Sequence, residues 1–64
     1  MSNYTVETNA PLATAARIAG QVTRHASASQ GGSLGTEIYL RGGDAKAVDV
    51  VLRALGYKTR LTRA

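Results

Sequence analysis

The periodicity of this 64-residue chain implies a two-layer α/β sandwich of the α+β class, in which a three-stranded sheet carries two helices on one face. Three short stretches alternate apolar and polar residues with a period of two. Two longer stretches repeat apolar residues every three or four positions, and the two kinds follow one another as β-α-β-α-β. A chain of this length holds one small domain, 1–64.

Tyr4 to Thr8 opens the series, with Tyr4, Val6 and Thr8 on one face and Thr5 and Glu7 on the other. Asn9 offers a capping oxygen and Pro11 a preset first-turn dihedral, so a helix is expected to begin there. Its apolar positions, Leu12, Ala15, Ala19, Val22 and Ala26, fall three and four apart, which carries helix 1 to about Ala26 with Thr14, Arg17, Gln21 and Arg24 opposite. Gly20 in its interior costs about 1 kcal/mol relative to alanine, and beside so many alanines it suggests close approach to a neighbouring helix. Residues 27–35 are small, polar and glycine-rich, the composition of a flexible loop.

Thr36, Ile38 and Leu40 then alternate with Glu37, Tyr39 and Arg41, a second strand whose outer face bears an acid, an aromatic and a base. Gly42 and Gly43 end it and Asp44 is the expected N-cap of helix 2. There Val48, Val51, Leu52 and Leu55 form the inward stripe, with Lys46, Asp49 and Arg53 opposite. Asp49 and Arg53 stand in the favourable i, i+4 order, and Gly56 supplies the stop. Tyr57, Thr59, Leu61 and Arg63 alternate with Lys58, Arg60 and Thr62 as a third strand.

Composition narrows the chemistry. The absence of cysteine removes disulfides, thiolate metal sites and cysteine nucleophiles together. Much of the 44% hydrophobic content is alanine and only Tyr4, Tyr39 and Tyr57 are aromatic, so the core is shallow, and a homodimer or a docked partner protein is expected to support it. No apolar run approaches the roughly 18 residues of a membrane span, and the first residues lack the basic and apolar regions of a signal peptide. The expectation is a soluble cytoplasmic protein with no membrane contact.

His25 has Ser27 and Ser29 close in sequence but no orienting carboxylate, so no catalytic site and no enzyme are expected. His25, Glu7, Glu37, Asp44 and Asp49 lack clustered ligand spacing, so neither a metal nor another cofactor is expected. Gly32-Ser33-Leu34-Gly35 matches the glycine loop of KH RNA-binding domains only as a string, because a strand rather than a helix follows it.

Charge is the positive signal. The formal net charge is +4 and the pI about 10.1. Residues 1–32 carry Arg17 and Arg24 against Glu7, whereas residues 33–64 carry a net +3 concentrated toward the end of the chain. Arg41-Gly42-Gly43 leading into a helix can present backbone N–H groups to a phosphate beside Arg41, although Asp44 as a cap would compete and a plain turn has the same composition. Lys58 and Arg60 lie on the strand face opposite Leu61, and Arg63 near its end. If the last two strands share a sheet covered on one side, Tyr39, Arg41, Lys58 and Arg60 stand together on its open face, where cations neutralise phosphates and a tyrosine stacks on a base. Glu7 and Glu37 dilute that face, and a charged edge that merely resists aggregation has the same composition.

The succession of strand 1, Asn9-Ala10-Pro11-Leu12, Thr36-Glu37-Ile38-Tyr39-Leu40-Arg41-Gly42 and Ala45-Lys46-Ala47-Val48-Asp49-Val50-Val51 resembles the Alba superfamily of small nucleic-acid-binding proteins, stage V sporulation protein S being a bacterial relative. The resemblance covers about residues 4–57. It implies a β-α-β-α-β-β domain, usually dimeric, that binds DNA or RNA through the loops before its helices and a hairpin after helix 2. Position by position it carries contact onto Arg41 and Gly42, while Lys58, Arg60 and Arg63 follow from charge. The resulting expectation is a basic, largely sequence-independent nucleic-acid-binding protein. The alternative is an inhibitor or accessory module that docks a partner protein.

Overall fold

The computed structural model describes residues 3–63 and contains six elements: β1 (Asn3–Thr8), α1 (Leu12–Val22), β2 (Ser27–Gly31), β3 (Gly35–Arg41), α2 (Gly42–Ala54) and β4 (Thr59–Arg63). The strands form one antiparallel sheet in the order β2-β3-β1-β4, so β3 inserts between β1 and β2. This is the split β-α-β arrangement of ferredoxin-like folds. The mixed two-layer class expected from the periodicity holds, with four strands in place of three.

The additional strand is β2, in the segment whose composition reads as a loop. Ser27-Ala28-Ser29-Gln30 contains no β-branched or aromatic residue, so nothing local announces a strand. Its pairing is imposed by β3, from Ser27 opposite Tyr39 to Gly31 opposite Gly35. Gly32 makes the hairpin possible, since its φ of +74° lies in the left-handed region that side chains disfavour. The Alba-like order places its extra strand after helix 2, whereas here it precedes α2.

To reach β2, α1 stops at Val22 rather than Ala26. Thr23 turns extended at φ −155°, ψ 152°, and its hydroxyl accepts the His25 N–H at 3.1 Å. At the other end Pro11, not Asn9, holds the N-cap position, and its carbonyl accepts the Ala15 N–H at 2.9 Å. The Asn9 side chain serves the sheet instead. Its Oδ1 accepts the Lys58 N–H at 2.9 Å while its own N–H donates to the Lys58 carbonyl at 3.3 Å, which extends the β1–β4 pairing by one residue. Gly20 is exposed with nothing within 4 Å of where a Cβ would sit, so it serves no close approach inside this chain.

The core lies between the helices and one sheet face. Val6, Ile38 and Leu40 from the sheet meet Ala15, Ile18 and Ala19 of α1 and Ala45, Val48 and Leu52 of α2. Two buried threonines interrupt it, and both are satisfied. Thr8 and Thr36 are cross-strand partners; Thr8 Oγ1 accepts the Ala10 N–H at 3.2 Å and Thr36 Oγ1 donates to the Ala10 carbonyl at 2.8 Å. Together they pin the β1–α1 turn onto the sheet.

β3 passes into α2 without a loop. Gly42 and Gly43 are helical, Arg41 holds the N-cap position, and Asp44 sits in the first turn near the positive end of the helix dipole rather than capping it. The expected stop at Gly56 is observed as a Schellman motif. With φ at +92°, Gly56 donates its N–H to Arg53 at 3.0 Å and Tyr57 donates to Leu52 at 3.1 Å. The inward stripe differs from the expected one: Ala45, Val48 and Leu52 are buried, while Val51 and Leu55 are 39% and 58% exposed. The sheet covers only one side of the helix, and Val51 and Leu55 fall outside the buried row.

Candidate nucleic-acid interface

The sheet face away from the helices is uncovered, and the strand register arranges it in rows. One row runs Ser27, Tyr39, Thr5, Thr62 across β2, β3, β1 and β4, and the next runs Ser29, Glu37, Glu7, Arg60. Arg41 and Asn3 form a partial row beyond Tyr39. At the opposite end the Asn9–Lys58 pairing continues the register, which puts Lys58 on the same side as Arg60. The face therefore gathers Tyr39, Arg41, Lys58 and Arg60, with a floor of serines, threonines and asparagine between them.

Tyr39 is 44% exposed, whereas Tyr4 and Tyr57 pack against the core. It stands on an inner strand, near the centre of the face, and its hydroxyl donates to Glu37 Oε2 at 2.8 Å. That hydrogen bond, and the negative charge that accepts it, raise the Tyr39 phenol above its ordinary 10.0.

Glu37 and Glu7 face each other directly across β3 and β1, an arrangement that like charges oppose. The hairpin turn relieves it: Ser33 donates to Glu7 Oε2 from its hydroxyl at 2.9 Å and from its N–H at 3.3 Å. With Tyr39 holding Glu37, both carboxylates are tied to neighbours at the hairpin end of the face. Among the described residues no group of three metal-ligating side chains forms, so this pair lacks a third ligand.

Arg63 and Gly42 lie elsewhere. Arg63 pairs with Tyr4 and projects on the helix side of β4, opposite to Arg60. Gly42 begins α2, whose first turn has no side-chain cap and contains Asp44. On the same helix Arg53 Nε donates to Thr59 Oγ1 at 2.8 Å and lies 3.4 Å from Asp49 Oδ1. The single Nε–H points to Thr59, so the Asp49 contact is an ion pair without a hydrogen bond, consistent with Oδ1 being buried and otherwise unpartnered.

Three residues join the site that patterning alone does not select. Asn3, His25 and Ser27 line, with Tyr39, Leu40 and Arg41, an open depression of about 340 Å³ at the Arg41 end of the face. Ser27 enters through β2, the strand without a local signal, and Asn3 through its register with Arg41. His25 arrives because α1 ends early and the Thr23–His25 turn leads the chain into β2. No helix of the described residues is long and apolar enough to cross a membrane. No family model, curated protein or solved structure matches this chain.

Proposed function

We propose that this protein binds single-stranded DNA or RNA, largely without regard to sequence, on the uncovered face of its sheet. One observation carries the reading: the exposed Tyr39 stands near the centre of that face with Arg41 next on its own strand side and Arg60 two strands away. A splayed base has a ring to stack on, and the phosphates on either side have cations to meet. The tethered carboxylates Glu7 and Glu37 confine the phosphate path to the Arg41 end and the Lys58–Arg60 edge. The proposal rests on this face and not on the Alba resemblance, whose hairpin after helix 2 is matched among the described residues by the strand β4. A module that docks a partner protein is the second reading, favoured by a separate surface, the exposed Val50, Val51 and Leu55.

Fluorescence anisotropy with labelled oligonucleotides tests the first reading. Three phosphate contacts per chain on a single strand give a logarithmic salt slope near −2, so affinity falls about twenty-fold between about 50 and 200 mM salt. Lys58→Gln with Arg60→Gln flattens that slope. Tyr39→Leu removes a stacking contribution of about 1–3 kcal/mol and leaves the slope intact. A salt-independent affinity, or one untouched by the charge variants, overturns the proposal.

A further inference from the structure

The outer side of α2 is apolar where water should find polar groups. Directly opposite the buried Ala45, Val48 and Leu52, the helix presents Gly43, Ala47, Val50 and Ala54, all exposed, with Val51 and Leu55 on the adjoining flank. Val50 and Leu55 are 64% and 58% exposed. Its charged residues other than Asp44, namely Lys46, Asp49 and Arg53, recur three and four apart and so crowd into one narrow stripe. A helix that is apolar on both sides belongs inside a protein, not at its surface. The outer side of α1 continues the layer with the exposed Ala13, Ala16 and Gly20, interrupted by the exposed Arg17.

We infer that a second copy of this chain covers this surface, its α2 running antiparallel to the first about a two-fold axis near Val50. The stripe itself selects that orientation. It begins at Gly43, which has no side chain, and ends at the large Leu55, so antiparallel pairing lays the Gly43 end of each helix under the Leu55 of the other. The dimensions suffice. The molecule measures 27 × 22 × 18 Å, so contact across the helical layer removes roughly 500 Å² from each copy, or about 1,000 Å² in total, the lower bound of a specific interface. The shallow core supplies the need, because four of the ten buried apolar residues among those described are alanines. Pairing by the helical layers leaves both sheet faces outward and back to back. Resting on the nucleic-acid reading above, the dimer then holds two strands at once and bridges them.

Sedimentation and light scattering without nucleic acid decide the dimer. The expected mass is twice the 6.7 kDa chain at concentrations near 100 µM, with association strengthened by salt, since two copies of net charge +4 repel less when screened. Val50→Glu and, independently, Leu55→Ser return the mass to that of one chain with an unchanged circular dichroism spectrum. A wild-type monomer under these conditions, a dimer that survives both substitutions, or a monomer that instead sediments with anionic phospholipid vesicles overturns the inference. Energy transfer between two differently labelled oligonucleotides tests the bridging: wild type brings them together and Val50→Glu binds without doing so. A dimer that binds but does not bridge refutes the back-to-back arrangement. If no oligonucleotide binds, the nucleic-acid reading fails while the mass still decides the dimer.

Discussion

The two broad surfaces of this molecule are made of opposite materials. The uncovered sheet is polar almost throughout, and its carboxylates are tied to neighbours: Glu7 to Ser33, Glu37 to Tyr39. On the outer helical layer α2 has the small and aliphatic residues Ala47, Val50, Ala54 and Leu55 where the charges would ordinarily be, and α1 adds Ala13, Ala16 and Gly20 around the single charge of Arg17. A sheet is usually left open because something polar touches it or because its side chains are content in water. A helix surface is left apolar only if something covers it. The difference separates the two candidate activities onto opposite sides of a domain of only 64 residues, so that one can be disabled without the other.

The sharpest way to break the comparison is to treat the two sides of α2 alike. Leu52 is fully buried, and Leu52→Ala should cost about 2–5 kcal/mol in urea unfolding, through lost transfer energy and the cavity left behind. For so small a domain that is a large share of total stability. Val50→Ala, two residues away on the outer side, should stay within about 0.5 kcal/mol of wild type at concentrations where only monomer is present. Equal costs at the two positions would mean that the outer side of α2 is already covered within the single chain.

A smaller effect is expected where the sheet's inner face carries polarity of its own. Thr36→Val keeps the shape but removes the donor to the buried Ala10 carbonyl, and should cost about 1–3 kcal/mol. The matched change on the uncovered face, Thr62→Val, should be near neutral. If Thr36→Val proves neutral as well, the β1–α1 turn is held by packing alone.

These contrasts were only partly legible in the residues. β1, β3 and β4 alternate strongly enough to be read, and the parity that puts Tyr39, Arg41, Lys58 and Arg60 on one face follows from that alternation once the strands are antiparallel. β2 was not legible, because an edge strand of serine, alanine and glutamine draws its pairing from β3 and not from its own propensity. Asn3, His25 and Ser27 were lost with it, being brought to the site by register and by the early end of α1. On α2 the difficulty was excess rather than lack of signal. With apolar residues on nearly every side, the stripe through Val51 and Leu55 looks as good as the one through Ala45, and only the position of the sheet tells them apart.

The smallest expected effect tests whether the uncovered face is organised or merely solvated. Tyr39 should titrate above 10.0, because its hydroxyl proton is held by Glu37 and because ionisation would place a second negative charge beside that carboxylate. A raised phenol favours the folded state below the ordinary value of 10.0, and that contribution disappears as the pH climbs through the folded value. Ultraviolet titration in a Tyr4→Phe, Tyr57→Phe background isolates the group. Glu37→Gln should bring its midpoint back toward the ordinary value, since the amide still accepts the proton but carries no charge. A Tyr39 that titrates normally and ignores Glu37→Gln has its hydroxyl loose in water, and its ring is then not fixed on the face where a base would need to find it.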